Sequence, residues 1–129
     1  MASLTSTRFT RSLNSFDETE SDHAVTPGAN YYEGCIVCKG ANGAVDGAAG
    51  LPALGVCKKT ILNAKAGDRV VVHHGAFDLN VNGTPKAGDG LVVVDNQTLA
   101  AGDGTGGILE KVDHLGKRWA LITKTSVTG

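Results

Sequence analysis

Arg69-Val70-Val71-Val72-His73-His74-Gly75-Ala76-Phe77-Asp78-Leu79-Asn80-Val81 decides the fold. From Phe77 to Val81 apolar and polar residues alternate strictly. Successive side chains of a strand point to opposite faces, so this is a strand with one buried face. From Arg69 to His73 the chain is short and β-branched, bounded by Gly67-Asp68 and by Gly75. That composition packs well on a pleated surface and marks a second strand. The sequence predicts a hairpin between the two, turning at His74-Gly75.

The same grammar continues on either side. Leu91 to Val94 is a short apolar run. Ile108 to Val112 and Arg118 to Thr125 flank Asp113-His114-Leu115-Gly116, a turn with glycine available for a left-handed position. Gly34 to Lys39 and Ala53 to Thr60 read as two further strands, separated by the glycine-rich loop Gly40 to Gly50. Only residues 11–20 carry a helical pattern. The class is all-β: a small glycine-rich β-barrel or β-sandwich of about seven short strands, with an extended N-terminal arm.

Ala-Gly-Asp occurs three times, at Ala66-Gly67-Asp68, Ala87-Gly88-Asp89 and Ala101-Gly102-Asp103. Lys65 and Lys86 precede the first two copies. Glycine takes the positive-φ place of a tight turn without steric cost, and aspartate bonds a nearby amide and starts the next strand. The unequal spacing excludes a solenoid repeat.

Composition agrees with a turn-rich domain. The chain has 129 residues, 18 of them glycine, with 41% hydrophobic and only 5% aromatic residues. That length suits one domain. A net charge of −1 argues against a nucleic-acid partner, because neutralising phosphates needs a basic surface. No apolar run is long enough to span a membrane as a helix. Met1 to Thr10 is polar and lacks the apolar centre of a signal peptide, so synthesis in a cytoplasm and free thiols are expected.

The chain divides into an arm, residues 1–29, and a domain, residues 30–129. No glycine precedes Gly28, and residues 1–27 hold ten serines and threonines. Leu4, Phe9, Leu13 and Phe16 are the large apolar residues before Val25, too few to close a core of their own. They read as anchors for another surface. Arg8 and Arg11 accompany them and would meet acidic groups there.

The search for chemistry returns little. Cys35-Ile36-Val37-Cys38 has metal-like spacing, and Cys57 with His73 or His74 could complete a zinc set. Yet positions i and i+3 of a strand face opposite sides, and the usual second closely spaced pair is missing. The cysteines are expected as buried small hydrophobes. His73 and His74 are adjacent and should point apart. Gly102 to Gly107 lacks the lysine and helix of a phosphate loop. Trp119 falls in an alternating strand and reads as core. No nucleophile, base and oxyanion site assemble, so no enzyme, no cofactor and no metal are expected.

The order of these pieces resembles the capsid decoration proteins of tailed bacteriophages, also called cement or head-stabilising proteins. The residues that carry it are Tyr32-Glu33-Gly34-Cys35-Ile36-Val37, then Ala66-Gly67-Asp68-Arg69-Val70-Val71-Val72 with Gly75-Ala76-Phe77-Asp78-Leu79, then Lys86-Ala87-Gly88-Asp89, and finally Trp119-Ala120-Leu121-Ile122. The resemblance spans about residues 30–125 and rests on turn grammar. It implies a structural virion protein on the outer capsid surface that stabilises the major capsid protein lattice. It also implies a homotrimer and an N-terminal arm that orders on binding. The arm's own sequence matches no motif of the family. Three alternatives are a virion adhesion or fibre-base protein, a small cysteine/histidine metal-binding domain, and a biotinyl/lipoyl-like domain. The last requires a lysine at a hairpin tip beside methionine, and the only methionine is Met1.

Overall fold

The computed structural model describes residues 3–13 and 19–123. Among them there is no helix; the fold is all-β. Its ten strands are β1 (Thr19–Ala24), β2 (Ile36–Gly40), β3 (Gly43–Asp46), β4 (Ala53–Cys57), β5 (Arg69–Phe77), β6 (Asn80–Val81), β7 (Gly90–Asp95), β8 (Thr98–Ala101), β9 (Gly107–Val112) and β10 (Arg118–Ile122). They form one open sheet in the order β3-β2-β4-β5-β10-β9-β7-β8-β6, and β1 adds to β5. The sheet folds over itself as a small sandwich. Ile36 of β2, Val56 of β4, Leu91 of β7, Leu109 of β9 and Ile122 of β10 therefore meet in one core.

The hairpin expected at His74-Gly75 is not formed. Arg69–Phe77 is a single nine-residue strand. Its residues 69–74 pair with β1, residues 72–73 also pair with β4, and residues 75–77 pair with β10. Val70, Val72 and His74 are buried in alternation, and then the phase slips so that Phe77 is buried. Gly75, at φ +146°, absorbs the slip where the strand passes from one half of the sheet to the other. A glycine between two apolar runs marks a bend inside a strand as well as a turn between two.

Other expectations shift in the same way. The loop Gly40 to Gly50 contains β3, which pairs back on β2 through Ala41-Asn42. Residues 11–13 are not helical, and Thr19 and Glu20 open β1. Residues 19–25, counted with the arm in the sequence, lie in the sheet or the core: β1 lies antiparallel along β5, and Val25 is buried. The Asp113 to Gly116 turn joins β9 to β10 as expected, with Gly116 at φ +81°. Trp119 is buried, and its Nε1 donates to Asp113 Oδ2 at 3.2 Å.

The first two Ala-Gly-Asp turns share one geometry. Gly67 and Gly88 have φ +95° and +94°. Asp68 Oδ2 accepts from the Lys65 amide at 2.9 Å, and Asp89 Oδ2 from the Lys86 amide at 2.8 Å. The third copy is different: Asp103 Oδ1 caps Thr105 instead, and the turn ends β8 rather than starting a strand.

A second core lies on the outer face of β2, β4 and β5. Val37, Leu54, Cys57, Val70 and Val72 face it, while Ile36, Cys38, Ala53 and Val56 face the first. Val25, Tyr31 and Ala64 cover it. Tyr31 is fully buried, with its hydroxyl donating to Ala44 O and accepting from the Thr26 amide. Each such side chain contributes about 1.5–3 kcal/mol on burial. β2 and β4 are thus buried on both faces, which explains why their sequences run apolar without alternating.

Candidate functional site

Residues 3–13 form an extended strap across this body. Its first attachment is at Leu4, whose amide donates to Asn96 Oδ1 at 2.8 Å and whose carbonyl accepts from Asn96 Nδ2 at 2.7 Å. Its second is at Arg8, whose amide donates to Glu33 O at 2.8 Å. Thr10 Oγ1 donates to Gly34 O at 2.6 Å. The last is at Leu13, whose amide donates to Ala76 O at 2.8 Å.

Asp78 gathers the strap's charges. Its carboxylate is 3.8 Å from Arg8, 3.4 Å from Arg11 and 3.4 Å from Lys117. Asp78 Oδ1 also accepts the Arg11 amide at 2.7 Å, and Arg8 reaches the Asp78 carbonyl at 3.0 Å. The two arginines assigned to a partner's acidic groups therefore meet an aspartate of their own chain.

The apolar positions divide. Leu4 is half-buried. Leu13 is 37% exposed, and Phe9 projects into solvent at 82% exposure with the Arg11 guanidinium 5.8 Å from its ring centre. Phe16 lies outside the described residues.

The cysteines do not converge as a metal set. Cys38 belongs to the first core and directs its thiol to Leu51 O, while Cys57 belongs to the second and directs its thiol to Lys59 O. Cys35 lies under the strap, its Sγ 3.7 Å from Ser6 O. Burial pushes the Cys35 thiol up to about 12 and those of Cys38 and Cys57 to about 11. Among the described residues no three His, Cys, Asp or Glu side chains gather as a metal-holding group.

His73 and His74 point apart, as expected: His74 is buried and His73 half-buried on the other face. The sequence reading missed what His74 meets. Ser21 Oγ lies 2.9 Å from His74 Nε2 and 2.7 Å from His23 Nε2, and Thr19 Oγ1 lies 3.0 Å from His74 Nδ1. Ser21, His23 and His74 border a cleft of about 470 Å³ that Lys39, Gly40, Gly43 and Leu54 also line. The signal was the alternation Thr19-x-Ser21-x-His23, which puts three polar side chains on one face once residues 19–24 are a strand.

Comparison with protein-family models, characterised proteins and solved structures finds no match to this chain.

Proposed function

We propose that this chain is a structural virion protein that binds the outer surface of a phage capsid and stabilises the major capsid protein lattice. The observation that carries the reading is Phe9. A large aromatic side chain stands 82% exposed on a strap whose main chain is fixed on both sides of it, at Arg8 and at Leu13. A solvated loop gains nothing from such a residue, whereas a docking element gains about 1.5–3 kcal/mol when it is covered. Because the strap is held beforehand, little conformational entropy is lost on docking. Arg11 stands beside the Phe9 ring, and Leu13 is also partly exposed on the strap.

Oligomerisation follows from weak single contacts. One exposed aromatic gives modest affinity, and three copies joined as a homotrimer raise it by avidity. Co-sedimentation with empty phage heads lacking the protein tests the reading. Binding of the intact protein, and its loss in Phe9→Ala, is the expected result. Equal binding of the two proteins overturns the role of Phe9, and no binding by either overturns the capsid reading. Native mass spectrometry over a concentration series tests the trimer.

A further inference from the structure

We propose that His23 and His74 form a binding site for a divalent transition-metal ion of the Zn²⁺, Ni²⁺ and Cu²⁺ class. Both Nε2 atoms bond the same oxygen, Ser21 Oγ, at 2.7 and 2.9 Å. They converge on one point and stand no more than 5.6 Å apart, the sum of those two bonds. Two imidazole nitrogens about 2.0 Å from a tetrahedral ion stand about 3.3 Å from each other. The pair must close by up to about 2.3 Å to reach that separation, with Ser21 turned aside or kept as a weak third ligand.

The frame is already set for this. β1 and β5 pair with Thr19 opposite His74, Ser21 opposite Val72 and His23 opposite Val70, so all of these share one face. His74 is only 3% exposed, and Thr19 Oγ1 on its Nδ1 fixes the ring with Nε2 aimed at the site. A ligating histidine usually has its other nitrogen held in this manner. The cleft beside the pair leaves room for water on the remaining positions of the ion. Imidazole nitrogen suits zinc, nickel and copper, whereas magnesium and calcium want oxygen.

The charged neighbours are compatible. Asp22 points to the opposite face and pairs with Arg69 at 2.9 Å. Glu20 lies on that face too and pairs with Lys58 at 3.0 Å. Lys39 lines the cleft, but its side chain is exposed and can turn to solvent. The ion would join β1 to β5 and so tie the N-terminal segment to the sheet.

The test is thermal unfolding of tag-free protein with about 100 µM ZnCl₂ or NiCl₂, against MgCl₂ and a chelator. Zinc or nickel should raise the Tm of the native protein by several degrees, and magnesium should not. His23→Gln keeps a hydrogen-bond partner for Ser21 and should abolish the shift without loss of fold. Lys39→Ala should keep or enlarge it, because a nearby cation is removed. The proposal is overturned if zinc and nickel give no shift, or if His23→Gln shifts as the native protein does. A shift with MgCl₂ as large as that with ZnCl₂ also overturns it, since the chloride they share would then mark an anion site. Nitrogen hyperfine lines from two imidazoles in the Cu²⁺ EPR spectrum are the expected direct signature, and their persistence in His23→Gln counts against the pair.

Discussion

Asn96 holds Leu4 as a second strand would, with its amide side chain in place of a peptide. It accepts from the Leu4 amide at 2.8 Å and donates to the Leu4 carbonyl at 2.7 Å, and it is itself fully buried. The same Nδ2 also reaches the Asp46 carboxylate at 3.0 and 3.2 Å. Asn96→Ala removes all of these bonds and leaves Asp46 with fewer donors. We expect a loss of about 2–4 kcal/mol, since unsatisfied groups cost more than a made bond contributes. Urea unfolding reads it as a lower midpoint at unchanged slope. A change below about 0.5 kcal/mol would mean that the strap is not anchored there.

Asp46 gives the protein a pH dependence of its own. Burial raises its carboxyl from 3.8 to about 6, against the opposing bonds from Asn96 and the Gly47 amide. The folded state therefore binds this proton more tightly than the unfolded chain. The contribution to stability is greatest below the unfolded value and is lost as pH rises through about 6. Asp46→Asn removes the term. Relative to the native protein, the variant should gain stability as pH rises from about 4 to 6 and show a constant difference above. Parallel midpoint-against-pH curves for the two proteins would show that Asp46 does not titrate in this way.

The legible parts of this chain were those with a strong local signal. Short apolar or β-branched runs bounded by glycine turns located β2, β4, β5, β7, β9 and β10 and the all-β class, whereas the strictly alternating stretch Phe77 to Val81 is divided between the end of β5 and β6. β1 was hidden because Thr19 to Ala24 is polar; it is held by pairing with β5 and by His74, information that lies some fifty residues away. β3 was hidden because it is a four-residue Gly-Ala-Val-Asp segment, with only Ala44 fully buried and Val45 half-buried against the first core. Gly75 misled because the sequence marks a backbone irregularity there without saying whether the chain turns back or continues. The ends of the strap could be named as apolar and basic, but Asp78 and Asn96 as their partners depend on the tertiary fold.

Gly34 is a position where the strap and the domain touch backbone to backbone. It has φ +84°, and a Cβ there would stand 1.8 Å from the Arg8 carbonyl oxygen and 3.2 Å from Thr10 Oγ1. Gly34→Ala must therefore push the strap away, breaking the Arg8–Glu33 and Thr10–Gly34 bonds. Gly28, at φ +86° with open space around it, is the control, since alanine there carries only the backbone penalty of about 1–2 kcal/mol. We expect Gly34→Ala to cost more than Gly28→Ala by about 1–3 kcal/mol. Amide exchange at Arg8 and Leu13 should rise only in the former. Equal costs and equal exchange would show that the strap does not depend on this contact.

Phe9 separates stability from binding. Its ring is 82% exposed, and its neighbour is the Arg11 guanidinium at 5.8 Å. An exposed cation–π contact contributes about 0.5–1 kcal/mol at most. Phe9→Ala should therefore change the unfolding free energy by less than about 1 kcal/mol. On a capsid the same ring would be covered. Losing about 1.5–3 kcal/mol per docked copy weakens each contact by roughly ten- to a hundredfold, and linked copies multiply the effect. Urea unfolding and head co-sedimentation on one preparation read both quantities. A variant that is destabilised by several kcal/mol would place Phe9 in the fold rather than at an interface. One that unfolds normally yet sediments with heads like the native protein would remove Phe9 from the interface altogether.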